Sequence, residues 1–368
     1  MKKWIAAAGA CFVLMLSACG KEIESGAEGE ALAEAAVTTA VTTVTTAPTT
    51  TAAVTVSEEE TSAQTAADSA ETVSFTEPQV IIPENGGETS ESAATSKKKT
   101  KKPSSGEINE PYSNAYALYC VDDKELIAGK ELDRQVSLAS TTKLLTASVM
   151  FSVLDPGAYV VVGDEVYFAK PESTMSYLLP GTDITVYDLA AAMLLPSGND
   201  AAYVAAVNTA RAAADDPYMS NEDAVDYFCG LMNDFAADLG MNDSHFANPE
   251  GWDDSEHYTT VNDMLKLAEY VLTVPELREI TSDYIWYFDS ALSGYLVWNN
   301  TNLFVEPSSG YYRDDCIGIK TGTTADAGCC LVSAFEENGK TYICIVMGCN
   351  ENEDRYDLVN KILKKYLK

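Results

Sequence analysis

Histidine and basic residues are scarce in this sequence. Only 2 of its 368 residues are histidine, and 24 lysines and arginines stand against 56 aspartates and glutamates, for a formal net charge of −32. Nucleic-acid-binding proteins present a basic surface to the phosphate backbone, so this charge excludes nucleic acid as a partner. The nine cysteines include no CxxC pair, and His245 and His257 have no cysteine nearby. We therefore expect neither a metal nor a cofactor.

A hydrophobic run long enough to span a membrane is also missing. The longest apolar segment of the N-terminal region, 4–16, is shorter than the ~20 residues that a transmembrane helix needs. It follows Lys2 and Lys3 and precedes small residues. This pattern predicts a cleaved export signal at 1–19.

The end of that signal, Leu-Ser-Ala-Cys at 16–19, resembles the lipobox of bacterial lipoproteins. In such proteins the cysteine is acylated on its sulfur and becomes the new N-terminus. We expect Cys19 to carry lipid and to anchor the protein to the outer face of the cytoplasmic membrane, because two or more acyl chains hold a protein there stably. Ordinary cleavage that releases a soluble secreted protein is the alternative.

Aromatic residues are rare between the signal and residue 106. Residues 20–106 are mainly Thr, Ala, Ser, Glu and Val, and they bury too little apolar surface to offset chain entropy. We predict a disordered tether with a mean reach on the order of 50 Å. Aromatic and aliphatic residues return at 107–368, which we predict to be one folded domain. Its seven cysteines are an odd number, so at least one is unpaired in a monomer.

The first part of this domain has a strand pattern followed by helical patterns. Alternating residues predict a hairpin formed by 116–121 and 124–128. Apolar residues at helical spacing predict five helices, at 140–154, 186–195, 201–214, 223–239 and 261–272. A breaker, Pro-Ser-Gly-Asn, separates the second helix from the third. We expect the Ser and Thr side chains at the start of the first helix to satisfy its free backbone amides.

The last third of the domain changes to strands. Residues 318–323, 328–335 and 340–348 have strand character, and Glu-Glu-Asn-Gly at 336–339 predicts a hairpin turn. Residues 354–367 form an amphipathic pattern that predicts a closing helix. We expect this helix to pack on the sheet, with association to anionic lipid through its lysines as the alternative.

Three short motifs follow one another in the domain. They are Ser-Thr-Thr-Lys at 140–143, Ser-Gly-Asn at 197–199 and Lys-Thr-Gly at 320–322. Each alone arises by chance, and its ordinary explanation is a helix cap or a solvated charge. Together, in this order and on a predicted helix, loop and strand, they are typical of penicillin-binding proteins and class A β-lactamases, in which the second motif is usually Ser-Asp-Asn.

The first motif supplies a nucleophile and a base. Residues three apart on a helix share a face, so the Lys143 amine can reach the Ser140 hydroxyl. A serine hydroxyl is a poor nucleophile until a base takes its proton. Lys143 is such a base when it is neutral, and both burial and the second cation Lys320 are expected to lower its pKa.

The other two motifs supply a proton relay and substrate contacts. Ser197 follows an apolar helix, where its hydroxyl can pass a proton between the base and a leaving amine, and Asn199 offers an amide to the substrate or to the base. Lys320 and Thr321, on a strand, are expected to bind the terminal carboxylate of a substrate. Gly322 lets that backbone approach closely, and a strand edge allows a peptide to add as an extra strand.

The segments 139–147, 194–202, 239–251 and 318–324 resemble the low-molecular-mass D-alanyl-D-alanine carboxypeptidases, a family of penicillin-binding proteins. The resemblance covers 112–348 and implies an α+β fold of the serine β-lactamase/DD-peptidase type. That fold is an antiparallel sheet flanked by helices, with an all-helical subdomain between the first two motifs. The resemblance also implies peptidoglycan stem peptides ending in D-Ala-D-Ala as substrates and β-lactam antibiotics as covalent inhibitors.

By the same resemblance, Ser140 is the residue that is acylated, Lys143 is the base and Ser197 assists protonation of the leaving group. The backbone amides of Ser140 and Thr323 would form the oxyanion hole. The remaining motif residues are expected to bind substrate: Asn199, Lys320, Thr321 and Gly322.

The sequence departs from the family pattern at Trp252 and in its C-terminal region. Trp252 replaces a usual leucine after Asn-Pro-Glu-Gly at 248–251, which is expected to alter a loop and not the chemistry. His257 lies near a helix start, where a helix-end hydrogen bond is expected because the lysine already supplies the base. Many relatives add a β-rich domain and a C-terminal membrane helix, whereas here the lipid on Cys19 is expected to provide the anchor.

Three other functions share these motifs. A β-lactamase needs a second base for deacylation, commonly a glutamate in a Glu-x-x-Leu-Asn loop, and no such loop lies between Asn199 and Lys320. Glu276 and Glu279 lie in a predicted helix instead. A DD-endopeptidase that cuts cross-links has the same motifs. So does a penicillin-binding sensor lipoprotein that is acylated without turnover.

Overall fold

A computed structural model describes residues 113–367 of the chain. The export signal at 1–19, the lipidated Cys19 and the tether at 20–106 lie outside the described residues and stay predictions, as does the start of the domain at 107. Within the described part, no helix combines the length and the apolar character needed to cross a membrane.

The described chain forms nine strands and seven α-helices, and every predicted helix and strand is present within a few residues of its predicted bounds. The strands are β1 (Ala115–Cys120), β2 (Glu125–Lys130), β3 (Tyr159–Val161), β4 (Asp183–Thr185), β5 (Ile285–Ser290), β6 (Gly294–Asn299), β7 (Cys316–Thr324), β8 (Gly328–Glu337) and β9 (Lys340–Cys349). The helices are α1 (Lys143–Val153), α2 (Val186–Leu194), α3 (Asn199–Ala213), α4 (Asn221–Asp238), α5 (Val261–Thr273), α6 (Pro275–Ser282) and α7 (Asn352–Tyr366).

A five-stranded antiparallel sheet forms the centre of the domain, in the order β2-β1-β9-β8-β7. The middle residues of β8 and β9 are buried on both faces, which suits their apolar and β-branched sequences. The two strands are joined by a tight turn in which Asn338 and Gly339 have φ of 54° and 74°. Asparagine and glycine adopt this left-handed conformation at low cost, so the turn fixes the register of the two longest strands.

Helices cover both faces of this sheet, as predicted. Alternate residues of β9 divide between two buried clusters because successive side chains of a strand point to opposite faces. Ile343 and Ile345 belong to the cluster that contains α1 and α5. Cys344 and Val346 belong to the cluster that contains α7, including its buried Tyr356. The amphipathic α7 therefore packs on the sheet, and that prediction is confirmed.

The helical part differs in two ways from the all-helical subdomain expected between the first two motifs. It contains a small sheet in which β3 pairs with β4, and helices α3 and α4 follow the second motif rather than precede it. The small sheet forms where short β-branched runs oppose each other, with Val160 paired to Ile184 and Tyr159 to Thr185.

The hairpin β5–β6 was not predicted from the sequence. On its inner face Phe288 and Trp298 stack with ring centroids 5.3 Å apart. The indole of Trp286 donates to Asp188 on α2 at 2.9 Å, and the indole of Trp298 donates to the carbonyl of Ser176 at 2.9 Å. The hairpin therefore ties α2 to the segment that precedes it in the chain.

Candidate active site

Ser140 lies in a 3-10 turn, Ala139–Thr142, that leads into α1, and not in the α-helix itself. The turn is fixed from within, because the hydroxyls of Thr141 and Thr142 donate to the carbonyls of Leu138 and Ala139 at 2.7 and 2.9 Å. These hydroxyls do not cap the amides of α1, so the predicted capping is wrong. Ser140 is half-buried at the positive end of the helix, where developing negative charge is stabilised.

The side chain of Lys143 connects the first two motifs. Its Nζ donates to Ser140 Oγ at 3.0 Å, to Asn199 Oδ1 at 2.6 Å and to the carbonyl of Glu250 at 2.7 Å. An ammonium group has three N–H donors, so these three acceptors satisfy it completely. The contact between serine and lysine expected from their spacing is therefore formed, and Asn199 holds the base.

Burial dominates the electrostatics of Lys143. It lowers the pKa of the amine from its usual 10.5 to about 7, although attraction to Glu250 and Asp200 opposes the shift. A large share of the side chain is therefore neutral at neutral pH. A neutral amine beside a serine hydroxyl is the arrangement that a general base requires.

The second motif occupies the junction of α2 and α3, where Ser197 has a left-handed φ of 66°. A Cβ at Gly198 would lie 2.7 Å from the carbonyl of Ala192 and 2.7 Å from Ser176 Cβ, so only glycine fits. The carboxylate of Asp200 accepts the N–H and the hydroxyl of Ser176, each at 2.8 Å. These contacts hold the junction against the segment in front of α2.

Ser197 is buried beside the base but not bonded to it. Among the described residues its hydroxyl makes no hydrogen bond to Lys143 or to Ser140. Its carbonyl accepts from the hydroxyl of Thr174 at 2.7 Å. The proton relay through Ser197 therefore stays a prediction.

The third motif lies on β7, an edge strand of the main sheet, directly against the nucleophile turn. A Cβ at Gly322 would lie 2.9 Å from the backbone nitrogen of Ser140, so a side chain there would push the strand away from the turn. The hydroxyls of Thr321 and Thr301 are 2.5 Å apart, and the amide of Thr301 donates to the carbonyl of Leu195 at 3.0 Å. Thr301, which the sequence analysis missed, thus links the third motif to the end of α2.

Lys320 is a buried lysine whose Nζ has no hydrogen-bond partner among the described residues. Burial, with repulsion from Lys143 and Arg355, lowers its pKa well below 10.5. A buried ammonium group without a partner is destabilising. An anionic group entering the cleft would relieve that cost, so the site favours a substrate with a carboxylate.

Arg355, on α7, is a second residue that the sequence analysis missed. One of its guanidinium nitrogens donates to the carbonyls of Gly322 and Cys330 at 3.1 Å each and to Thr323 Oγ1 at 3.3 Å. It is buried and forms no ion pair within the described residues. Its charge therefore adds to that of Lys320 behind β7. A single arginine in an amphipathic helix carries no sequence signal for this position.

A loop at 248–252 packs on the nucleophile turn. Asn248 Oδ1 accepts the amides of Gly251 and Trp252 at 2.7 and 3.1 Å, which closes the loop on itself. Gly251 has φ 91°, and a Cβ there would lie 1.9 Å from the carbonyl oxygen of Ala139. The loop therefore supports the turn that carries the nucleophile, and glycine is required at the contact.

His257 supports the same turn. Its Nδ1 accepts the amide of Ala247 at 3.0 Å, and its Nε2 lies 2.7 Å from Thr142 Oγ1. Because Thr142 donates its own proton to Ala139, this pattern assigns the proton of the ring to Nε2. Burial lowers the pKa of His257 to about 4, so the ring is neutral at neutral pH. The hydrogen bond expected at a helix end is thus made to the residue before α1, not to α5.

Metal ligands are not grouped in the part of the chain that the structure describes: no set of three or more His, Cys, Asp or Glu side chains there is arranged to hold an ion. The seven cysteines of that part are free thiols.

The family model described as D-alanyl-D-alanine carboxypeptidase matches residues 102–351, more than half of the chain. The chain belongs to this family. D-alanyl-D-alanine carboxypeptidases are serine hydrolases, and the predicted family is confirmed. Among the relatives is the D-alanyl-D-alanine carboxypeptidase of Streptomyces sp. strain K15, 32% identical over 249 residues, which are 64% of this chain and 80% of the relative.

Other curated relatives are longer than the matched region. The D-alanyl-D-alanine carboxypeptidase DacF of Bacillus subtilis strain 168 is 26% identical over 246 residues, which are 66% of this chain and 59% of DacF. DacC of Escherichia coli K12 is 28% identical over 264 residues, 68% of this chain and 60% of DacC. The chain thus spans about three fifths of the length of these two relatives.

Solved structures of the family have the same fold. The Streptomyces K15 DD-transpeptidase superposes with a TM-score of 0.63 at 26% identity, covering 70% of this chain and 98% of that one. Penicillin-binding protein D2 of Listeria monocytogenes in its cefotaxime-bound form has a TM-score of 0.58 at 25% identity and covers 72% of this chain and 100% of that one. The predicted α+β fold of the DD-peptidase type is therefore confirmed.

Proposed function

We propose that this chain removes the terminal D-alanine from peptidoglycan stem pentapeptides through an acyl-enzyme on Ser140. The observation that supports this most strongly is the 3.0 Å separation of Lys143 Nζ and Ser140 Oγ, in a buried site where the pKa of the lysine is about 7, so that the serine hydroxyl can donate to the neutral amine. The unpartnered amine of Lys320 lies on the adjoining strand and suits the carboxylate of the terminal D-alanine, which favours its charged form.

Acylation begins when neutral Lys143 accepts the proton of the Ser140 hydroxyl. Ser140 Oγ bonds to the carbonyl carbon of the penultimate D-alanine, and the charge that develops on the carbonyl oxygen is stabilised by the amides of Ser140 and Thr323. The C–N bond to the terminal D-alanine then breaks. Its nitrogen takes the proton from Lys143, with the hydroxyl of Ser197 as relay, and free D-alanine leaves.

Water completes the turnover. Lys143, neutral again, takes a proton from a water molecule whose oxygen attacks the ester carbon, and the shortened peptide leaves while Ser140 regains its proton. A β-lactam ring forms the same ester but keeps its opened amide attached, so it blocks the approach of water. β-Lactam antibiotics are thus expected to bind covalently, in line with the cefotaxime-bound Listeria relative.

The direct test is to incubate the purified full-length protein with a pentapeptide ending in D-Ala-D-Ala and to measure free D-alanine. Release supports the carboxypeptidase. Cleavage of a cross-linked peptide dimer without that release would indicate an endopeptidase, and rapid hydrolysis of penicillin without it would indicate a β-lactamase. Stable labelling by penicillin with every peptide intact would indicate a sensor.

Transpeptidation is a second candidate function, because the Streptomyces K15 neighbour is described as a DD-transpeptidase. In that reaction an amine replaces water as the acceptor of the acyl group from Ser140. Adding an amino-acid acceptor to the pentapeptide assay separates the two outcomes. A transpeptidase converts the substrate to the aminolysis product, whereas a carboxypeptidase yields the tetrapeptide at an unchanged rate.

Replacing Lys320 by alanine is expected to lower kcat/KM for the pentapeptide by about 10- to 100-fold, because a charge-assisted contact to its carboxylate is lost. On an analogue with an amidated C-terminus, the same variant should differ little from the wild type. Lys124→Ala, which removes an exposed lysine paired with Glu269, is the matched control and should leave both rates unchanged. An equal loss on both substrates would contradict the role of Lys320.

We also propose that the protein is held at the outer face of the cytoplasmic membrane by lipid on Cys19. The lipobox-like residues that end the apolar signal support this, and the composition of 20–106 suits a tether that lets the domain reach the wall.

Cys19→Ala is expected to move the protein from the membrane fraction to the soluble fraction, measured by immunoblot after cell fractionation. The other cysteine of the signal provides a matched control, because Cys11→Ala leaves the lipobox intact and should leave the protein in the membrane fraction. Membrane retention of the Cys19 variant would disprove the lipid anchor.

A further inference from the structure

A buried carboxyl group lies beside the base without an assigned role. Glu250 is 2% exposed, and its backbone carbonyl accepts the 2.7 Å hydrogen bond from Lys143 Nζ. Its side-chain Oε1 accepts from the hydroxyl of Tyr203 at 3.1 Å, whereas Oε2 is buried and has no hydrogen-bond partner among the described residues. A buried carboxylate oxygen without a donor is destabilising unless a positive charge or a proton compensates it.

We propose that the Glu250 carboxyl is a positioning residue that acts through Lys143, its buried charge setting how strong a base Lys143 is. This inference deepens the proposed function and rests on it for the identity of the base. The inference gives the glutamate of the Asn-Pro-Glu-Gly run a role in the chemistry of Ser140, although this glutamate belongs to none of the three motifs.

Several elements contribute charge around this carboxyl group. The titratable groups near Glu250 and Lys143 are Asp200 and Tyr203 on α3, Lys170 in the segment before β4, Lys320 on β7 and the neutral His257. Asp200 is already committed, because its two oxygens accept three hydrogen bonds from Ser176 and Leu178. Of these two carboxyl groups, Glu250 is therefore the one with an oxygen that accepts no hydrogen bond and whose charge can stabilise the charged form of Lys143.

The two side chains shift each other's titration. Burial raises the pKa of Glu250, and attraction to Lys143 works against that rise. Burial lowers the pKa of Lys143 to about 7, and attraction to Glu250 works against that fall. Two groups coupled in this way titrate as a unit. Without the carboxyl group, burial would hold the amine at a still lower pKa and make it a weaker acceptor for the serine proton.

Trp252, where this sequence departs from the family pattern, belongs to the same arrangement. The ammonium group of Lys170 lies 3.9 Å from the centroid of the Trp252 ring, in a cation–π contact. Lys170 in turn lowers the pKa of Glu250. The tryptophan thus holds a further positive charge near the carboxyl group, so the altered loop bears on the electrostatics of the site.

The test is the pH dependence of acylation in the Glu250→Gln variant of the full-length protein. The second-order rate constant for acylation by benzylpenicillin is measured between about pH 5 and pH 9, the range that brackets a base with a pKa near neutrality. In a plot of this rate constant against pH, the acid limb is the part where the rate falls as the pH drops. We expect this limb to move to lower pH by at least about 1 unit, because the carboxylate no longer favours the charged amine. We expect the plateau rate to fall severalfold, because the amine is then a weaker base.

Three further variants separate this role from a structural one. Glu250→Asp restores a carboxyl group and should return the acid limb toward that of the wild type. Tyr203→Phe removes the hydrogen bond to Oε1, and this loss favours the neutral form of the Glu250 carboxyl. The acid limb should therefore shift in the same direction as in Glu250→Gln, but by less. Glu165→Gln removes another buried carboxyl, one whose raised pKa comes from burial and not from Lys143, and should leave the limb unchanged.

Two results would overturn the proposal. One is an unmoved acid limb in Glu250→Gln, accompanied only by a loss of thermal stability like that of Glu165→Gln. The other is normal acylation with deacylation abolished, which would make Glu250 the group that activates water. Acylation by penicillin is measured independently of D-alanine release. If the wild type is acylated but releases no D-alanine, the proposed function is disproved while this inference is left intact.

Discussion

Replacing Ser140 by alanine is expected to abolish labelling by fluorescent penicillin and to lower the rate of D-alanine release by at least about 10³-fold. The substitution removes the nucleophilic oxygen, together with its 3.0 Å hydrogen bond to Lys143. The internal bonds of the 3-10 turn come from Thr141 and Thr142 and are kept, so the variant should fold. Gel fluorescence and the D-alanine assay measure the two losses, and a melting curve measures folding.

The matched control is Ser152→Ala, which removes a hydroxyl from α1, the helix that follows the nucleophile turn; this hydroxyl donates to the carbonyl of Val149. This variant should be labelled and active like the wild type. If the Ser140 variant were still labelled, another residue would be the nucleophile and the assignment of all three motifs would fail.

Replacing Lys143 by arginine is expected to lower kcat/KM by about 10²- to 10⁴-fold at every pH, because a guanidinium group cannot give up its proton in a protein. In the wild type the neutral amine is the active form, so acylation is present above the pKa of about 7 and is lost as the pH falls through it. The pH profile of penicillin acylation measures this limb, which should fall about tenfold per pH unit.

Lys266→Arg, at a partly exposed lysine paired with Asp263, is the control for the same chemical change. It should keep the wild-type rate and pH profile. An active Lys143→Arg variant, or a wild type whose acylation rate is the same on both sides of neutral pH, would exclude Lys143 as the base.

The parts of the site that could be predicted were those that local spacing determines. Ser140 and Lys143 lie three residues apart, and one helical turn brings them together in any context. The breaker predicted between two apolar helices is present as the junction that contains the left-handed Ser197 and the crowded Gly198. The glycine that β7 needs against the nucleophile turn was likewise expected from its motif.

Arg355 and Thr301 could not be predicted because tertiary packing alone brings them to the site. Arg355 reaches Gly322 only because α7 lies across the sheet, and no periodic pattern distinguishes it from a surface arginine of an amphipathic helix. Thr301 reaches Thr321 only because the β5–β6 hairpin returns the chain to α2. Contacts between residues this far apart depend on how the elements pack.

The β5–β6 hairpin itself did have a sequence signal. Trp286 and Phe288 alternate with exposed Tyr287 on one strand, and Trp298 lies on the other strand with exposed Val297 before it. This period of two is the pattern of a half-buried hairpin. The segment is short and lies between helices and the long strands, outside every motif, so the pattern alone does not show where the hairpin packs.

The position of β1 between β2 and β9 has a consequence for how the domain is made. Among the described strands, the first pairs with the last, and β7 and Arg355 complete the cleft although they lie far along the chain from Ser140. A growing chain therefore contains Ser140 and Lys143 long before it can hold them in place, and pairing between such distant segments is slow. A product truncated before β9 would carry the nucleophile but could not be acylated. Catalytic competence thus depends on segments that follow all three motifs in the chain.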